Sequence, residues 1–235
     1  MQTRVIRVLA TALWISCLAS GSATGDAQAK EPFTSLTLQV TTDRPTYLVG
    51  EAVTLTVRLS NQTSAVISGN TVLGRGFGYL HVLVAFDGLD FKRYRAPEWG
   101  IKDALLKPTD IASGHEISET VTLLYNLAST LPGEIPGVLA FPEPGHYAIV
   151  ARFLDLDSKT RIESQPIHID VEAPRGVDAR AWEMLNNKNA IYFLHTGNSR
   201  GDAALEQGFA ELLERYPQSR YVDQVRKRMP AQSLP

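Results

Sequence analysis

Between Phe33 and about Glu172, hydrophobic and polar residues alternate with a period of two. The stretch SLTLQV puts Leu36, Leu38 and Val40 on one face, and AVTLTVRL does the same with Val53, Leu55, Val57 and Leu59. Alternating or apolar runs recur in GYLHVLVAF (78–86), ETVTLLYNL (119–127), HYAIVARFL (146–154) and PIHIDV (166–171). Segments of this period are strands with one face against a core. Gly, Pro, Asn and Asp separate them, and Asp87-Gly88 is the residue pair that a tight hairpin turn demands. The pattern predicts a mainly β fold over residues 30–174, an antiparallel immunoglobulin-like sandwich of about seven or eight strands. Two connections, 95–114 and 128–145, are longer than a minimal sandwich needs, and loops of that length carry function or are insertions.

After VEAPRG (171–176) the period becomes helical. DARAWEMLNNKNAIYFL and DAALEQGFAELLERY space their apolar residues three and four apart, as in Leu205, Phe209, Leu212, Leu213 and Tyr216. Pro217 stops the second run and Ser219 is placed to cap another helix. Residues 175–235 therefore form a small helical C-terminal appendage. About 55 residues in short helices bury too little core alone, so the appendage must pack on the sandwich or on a partner. Arg200-Gly201-Asp202 spells an integrin-recognition tripeptide, but Asp202 reads better as the N-cap of the helix beginning at Ala203.

The first 29 residues stand apart. Arg4 and Arg7 precede the apolar VLATALWISCLA, and Ala27-Gln28-Ala29 offers small residues for cleavage. This is the layout of a secretory signal peptide whose apolar core is too short to span a membrane. Cys17, the only cysteine, lies inside it. A lipid anchor at Cys17 is the competing reading, but Trp14 stands where a lipid-attachment signal has leucine, so cleavage after Ala29 is favoured. The expected location is the periplasm or the exterior. The folded part then has neither a disulfide nor a thiolate metal site.

Composition narrows the function classes. Hydrophobic residues at 44% can bury a real core, and a net charge of −2 gives no general pull toward nucleic acid or anionic membrane. No transmembrane helix is expected once the leader is removed.

DRPTYLVGEAVTLTVRLSN (43–61) resembles the opening of immunoglobulin-like and macroglobulin-like domains of bacterial surface proteins, with Tyr47, Gly50, Glu51 and Val53 at the matching places. FPEPGHYAIVARF (141–153) resembles the entry into a late strand of the same sandwiches, and SQPIHIDVEAP their closing strand. The resemblance implies the sandwich fold and brings no catalytic residue. FAELLERYPQSRYVDQVRKRM (209–229) resembles one half of a tetratricopeptide-like repeat, which implies an interaction appendage.

The five histidines, His81, His115, His146, His168 and His195, show no HExxH or HxH spacing. His146 follows the Pro142-Pro144-Gly145 turn and points outward where a strand begins. No GxSxG elbow or SxxK appears, and GRGFG (74–78) opens a strand rather than the helix a phosphate loop needs. No cofactor, metal ligand or catalytic residue is therefore assigned. Asn61-Gln62-Thr63 fits a glycosylation pattern that has little meaning in a bacterial periplasm.

The most suggestive surface is FKRYRAPEWG (91–100). Lys92, Arg93, Tyr94, Arg95 and Trp99 are the candidate partner-binding residues, because Arg, Tyr and Trp dominate binding hot spots. The expectation is a non-catalytic binding or scaffolding protein that recognises a protein or peptide partner, or a glycan, through sandwich loops or exposed sheet edges. A secreted peptidase inhibitor is a specialised version, and a purely structural envelope protein would show neither patch nor pocket. The competing class is a hydrolase or carbohydrate-active enzyme assembled from dispersed residues, with His81, Asp87, Asp90 and Glu98 as first suspects.

Overall fold

The alternating segments pair into two main sheets whose apolar faces meet. The computed structural model of the protein describes residues 35–69, 73, 79–97, 109–127, 131–155, 160–198 and 202–229. The first sheet joins β1 (Leu36–Thr42), β3 (Val53–Asn61) and β8 (Glu116–Leu123), all antiparallel, in the order β1-β3-β8. The second contains β2 (Thr46–Leu48), β11 (Ile167–Glu172), β9 (Gly145–Asp155), β5 (Leu80–Phe86) and β6 (Lys92–Arg93) in that spatial order, with β10 (Thr160–Glu163) also on β9. A third, small sheet pairs β4 (Ile67–Gly69) with β7 (Thr109–Ile111), so the 95–114 connection carries a strand of its own.

The core lies where the period-two faces meet. Val53, Leu55, Val57 and Leu59 from β3 are wholly buried, as are Ile149, Ala151 and Phe153 from β9. Five of the strands, two to four residues each, are too short to show a period, so the sequence pattern gives fewer than the eleven that form among the described residues. The second sheet also corrects the antiparallel expectation, because β2 runs parallel to β11. The cause is local. Pro45 has no N–H with which to extend the β1–β3 ladder. Its carbonyl instead accepts the Asp170 N–H at 2.8 Å, and Val49 N–H reaches the Glu172 carbonyl at 3.0 Å. The chain thus changes sheets at Asp43-Arg44-Pro45 while keeping its direction.

The tail forms α1 (Val177–Leu185), α2 (Lys188–Thr196), α3 (Ala203–Arg215) and α4 (Val222–Arg226). The first helical run splits because Asn187 caps α2, its side chain accepting Ala190 N–H at 2.9 Å. Asp202 caps α3 in the same way through Leu205 N–H at 3.1 Å, as the pattern predicts, while Arg200 and Gly201 lie outside the described residues. Ser219 does not cap α4. Its hydroxyl donates to Asp178 of α1 at 2.8 Å and accepts Tyr221 N–H at 3.3 Å. Leu185, Phe193, Phe209, Leu212 and Val225 close a second core with Leu48, Leu124 and Tyr125 of the sandwich. The appendage is therefore docked.

The junction is organised by the Gly50-Glu51 turn. Glu51 is 4% exposed, and its Oε2 accepts Leu48 N–H at 2.6 Å and the Arg220 guanidinium at 2.8 Å, with Arg44 at 3.4 Å. Gln224 accepts Ala52 N–H at 3.1 Å and donates to the Gly50 carbonyl at 3.1 Å. Tyr221 donates to the Val49 carbonyl and stacks on Trp182 with ring centroids 5.6 Å apart. Trp182 in turn covers Gly50 so closely that a Cβ there would fall 2.0 Å from the indole, and the φ of +81° disfavours any side chain as well.

Two outcomes are expected. Gly50→Ala must displace Trp182 and should lower unfolding stability by about 2 kcal/mol or more, read from denaturant titration with tryptophan fluorescence. Burial first, and the hydrogen bond to Asp43 second, push the Tyr47 phenol up to about 12, and burial also raises Tyr221. A raised phenol favours the folded state fully below the unfolded value of about 10 and ceases to do so as pH climbs through 12. Thermal melts should be insensitive to these groups up to about pH 10 and fall steeply above it, less steeply in Tyr221→Phe.

Candidate binding surface

The β5 strand ends in a turn where Phe86 carbonyl accepts Leu89 N–H at 2.9 Å. Both central residues are left-handed, Asp87 with φ 45° and Gly88 with φ 76°. This is the mirror-image geometry that Asp-Gly predicts. Asp87 Oδ1 also accepts the backbone N–H of His146 at 3.1 Å, which ties the hairpin tip to the start of β9. The returning strand is only two residues long, with Lys92 opposite Val84 and Arg93 opposite Leu83.

The outer side of so short a strand would be an open edge, but residues 131–140 close it. Arg93 N–H donates to the Gly133 carbonyl at 2.6 Å, and Ile135 N–H to the Arg93 carbonyl at 3.0 Å. Asn126, 1% exposed, fixes the segment from behind. Its side-chain amide donates to the carbonyls of Ile135 at 2.8 Å and Gly137 at 3.0 Å, and its oxygen accepts Arg95 N–H at 3.0 Å. The sequence signal for this role is slight, an asparagine inside the otherwise apolar run LLYNL, and it does not by itself single out the residue.

Between hairpin and segment lies an apolar pocket of about 170 Å³ with Phe86, Ile135, Ala140 and Tyr147 in its walls. Exposed Leu89, Asp90, Lys92 and Glu143 rim it. Burial raises the Tyr147 phenol, whose hydroxyl donates to the Glu143 carbonyl at 2.8 Å. Of the four exposed large hydrophobic residues among the described ones, Leu89, Phe91 and Leu131 belong to these two segments.

The five predicted contact residues part company here. Lys92 is exposed at the pocket rim. Arg93 is half-buried with Nε enclosed, and burial lowers its pKa against the opposing pull of Glu134, with Arg95 adding to the lowering. Arg95 pairs with Glu134 at 3.2 Å and keeps 42% of its side chain exposed. Tyr94 is a correction: it is wholly buried, and its hydroxyl donates to the Tyr125 carbonyl at 2.7 Å. A position two after Lys92 on an alternating segment falls on the same inward-facing side as Val84, so the ring enters the core. Trp99 lies outside the described residues.

Among the described residues, two of the enzyme suspects lie apart, while Asp90 sits at the pocket rim. His81 and Asp87 stand at opposite ends of β5, about 20 Å apart along an extended strand. Asp87 is engaged by His146, and Glu98 lies outside the described residues. His146 is 83% exposed, as its turn position predicts, and its ring meets Asp170 of β11 across the ladder. Asn61, first residue of the glycosylation pattern, spends its buried amide on the carbonyls of Ala65 at 2.7 Å and Ile111 at 2.8 Å. Among the described residues no three of His, Cys, Asp and Glu gather closely enough to hold a metal ion.

Asn126→Ala should strand three backbone groups and cost about 3 kcal/mol in denaturant unfolding, against nearly nothing for Asn189→Ala, exposed on α2.

No protein-family model matches the chain, and no curated protein matches its sequence. Solved structures give low similarity. The sporulation control protein Spo0M from Bacillus subtilis is 14% identical at a TM-score of 0.33, over 65% of this chain and 55% of its own. A β-glucosidase from Erythrobacter marinus is 14% identical at 0.32, over 59% and 16%. The CARDB domain of a Pyrococcus furiosus protein is 13% identical at 0.29, over 61% and 92%. The chain spans about half of the sporulation protein and about a sixth of the glucosidase.

Proposed function

We propose that this chain is an exported, non-catalytic binding module that recognises a protein or peptide partner with the β5–β6 hairpin and the 131–143 segment. In this reading the two sheets form an immunoglobulin-like sandwich, the helices are an interaction appendage of tetratricopeptide-like character, and the leader is cleaved after Ala29 into the periplasm or exterior. The supporting observation is the apolar pocket of about 170 Å³ beside exposed Leu89, Phe91 and Leu131. That volume is below the roughly 300–1,000 Å³ of small-molecule sites and suits a single inserted apolar side chain. Exposed apolar residues rimmed by charges mark interaction surfaces. Asn126 holds the segment in place, so little ordering entropy is lost on docking.

The test is capture from an envelope extract by the full chain and by a Leu89→Asp, Phe91→Asp, Lys92→Ala variant. All three side chains are exposed, so the fold should survive, as circular dichroism will check. A partner held by the natural chain and released by the variant supports the proposal. A partner retained equally by both sinks the hairpin as the recognition surface.

A further inference from the structure

Where the helices meet the first sheet there is a second cavity, of about 430 Å³, within the roughly 300–1,000 Å³ of small-molecule sites. The sandwich lends it Thr54 and Thr122, register partners on β3 and β8. Their chain neighbours Val53, Leu55, Val121 and Leu123 are all buried. Alternation therefore turns the two threonines to the outer face, side by side, and both stay half-buried. The tail supplies the facing wall with Arg220 ahead of α4 and with Lys227 and Arg228 just beyond it.

Four cations and three acids line this cavity, and two of the acids are already engaged. Glu51 is met by Arg44 and Arg220, and Asp43 accepts the Tyr47 hydroxyl, which leaves Asp223. The cations keep donors available. Arg44 and Arg220 reach Glu51 through Nη2, and 40% and 36% of their side chains stay exposed. Arg228 donates from Nε to the Leu194 carbonyl at 2.9 Å and from Nη2 to the His195 carbonyl at 2.6 Å. Its guanidinium is thus held in place by backbone, with no acid against it. Lys227 is exposed, and among the described residues neither its ammonium nor the hydroxyls of Thr54 and Thr122 have a partner.

We propose that this cavity binds a small polar organic anion, whose carboxylate or phosphate oxygens accept from Lys227, Arg228 and the paired hydroxyls of Thr54 and Thr122. Unengaged donors outnumber unengaged acids in the wall, so charge and hydrogen bonding select the same kind of occupant. The Arg228 guanidinium is oriented before the ligand arrives, which lowers the ordering cost of binding. Such an anion touches β3 and β8 on one side and the end of α4 on the other, so its binding fastens the tail to the sandwich. The cavity shares no lining residue with the hairpin pocket, and the two sites stand or fall separately.

The probes are citrate for a carboxylate and glycerol phosphate for a phosphate ester, each titrated calorimetrically into the full chain against sodium chloride of matched ionic strength. At least one should bind saturably, with a constant on the order of 100 μM, and raise the melting temperature above the chloride control. Which of the two binds tells carboxylate from phosphate. Lys227→Gln should weaken that binding about tenfold. Thr54→Val with Thr122→Val leaves every charge in place and should still weaken it about fivefold, which diffuse attraction of anions to a basic surface cannot produce. Without ligand both variants should melt as the natural chain does, because Lys227 is exposed and valine suits a strand. The hairpin variant Leu89→Asp, Phe91→Asp, Lys92→Ala should bind the anion normally. No saturation by either probe at about 10 mM, roughly a hundred times the expected constant, overturns the proposal. So does undiminished binding in the Lys227 variant or in the threonine variant.

Discussion

The buried carboxylate of Glu51 is the constraint on which the architecture turns. A carboxylate at 4% exposure is tolerable only if its oxygens are occupied by donors and its charge is met. Leu48 N–H meets the first need from within the turn, and Arg220, reached from the far end of the chain, meets the second. Removing a partner from such a pair costs about 3 kcal/mol or more, because the remaining charge stays enclosed. The Gly50 turn, the sheet switch at Pro45 and the seating of α1 and α4 are thus one arrangement. Trp182 can lie over residue 50 only because no side chain is there, and its stacking on Tyr221 delivers the phenol to the Val49 carbonyl.

The sequence made the long elements legible and left the short ones hidden, for a physical reason. The strands β1, β3, β5, β9 and β11 each carry enough turns of the pleat for the apolar face to repeat, and all five fall within a few residues of their alternating runs. The two- to four-residue strands are defined by what their neighbours leave unpaired, a property of the assembled sheet. The same holds for direction, since nothing in TYL announces that it will run parallel to β11. At the candidate surface, the Asp-Gly turn, the exposure of Lys92 and the outward aim of His146 were readable from local chemistry. Tyr94 was misjudged because an aromatic among basic residues looks like a contact, whereas the pleat sends it inward.

Three of the buried polar side chains share one task. Asn61, Asn126 and Glu51 each sit beneath a segment with no regular ladder and supply the hydrogen bonds that the ladder would have given. Such residues hold irregular backbone to one conformation, and that rigidity lets an exposed loop present side chains at low entropic cost.

The clasp between residues 49–52 and 220–224 also imposes an order on events in time. Its bonds join positions 169 to 174 residues apart in the chain. During synthesis the sandwich strands emerge long before α4, so Glu51 meets water rather than Arg220 until another 169 residues have been made. Contacts of such long range slow folding because the intervening loop must be closed before they are rewarded. The α4 helix therefore acts as a latch, and a chain not yet extended to it holds its two sheets with the turn at their end still unfastened.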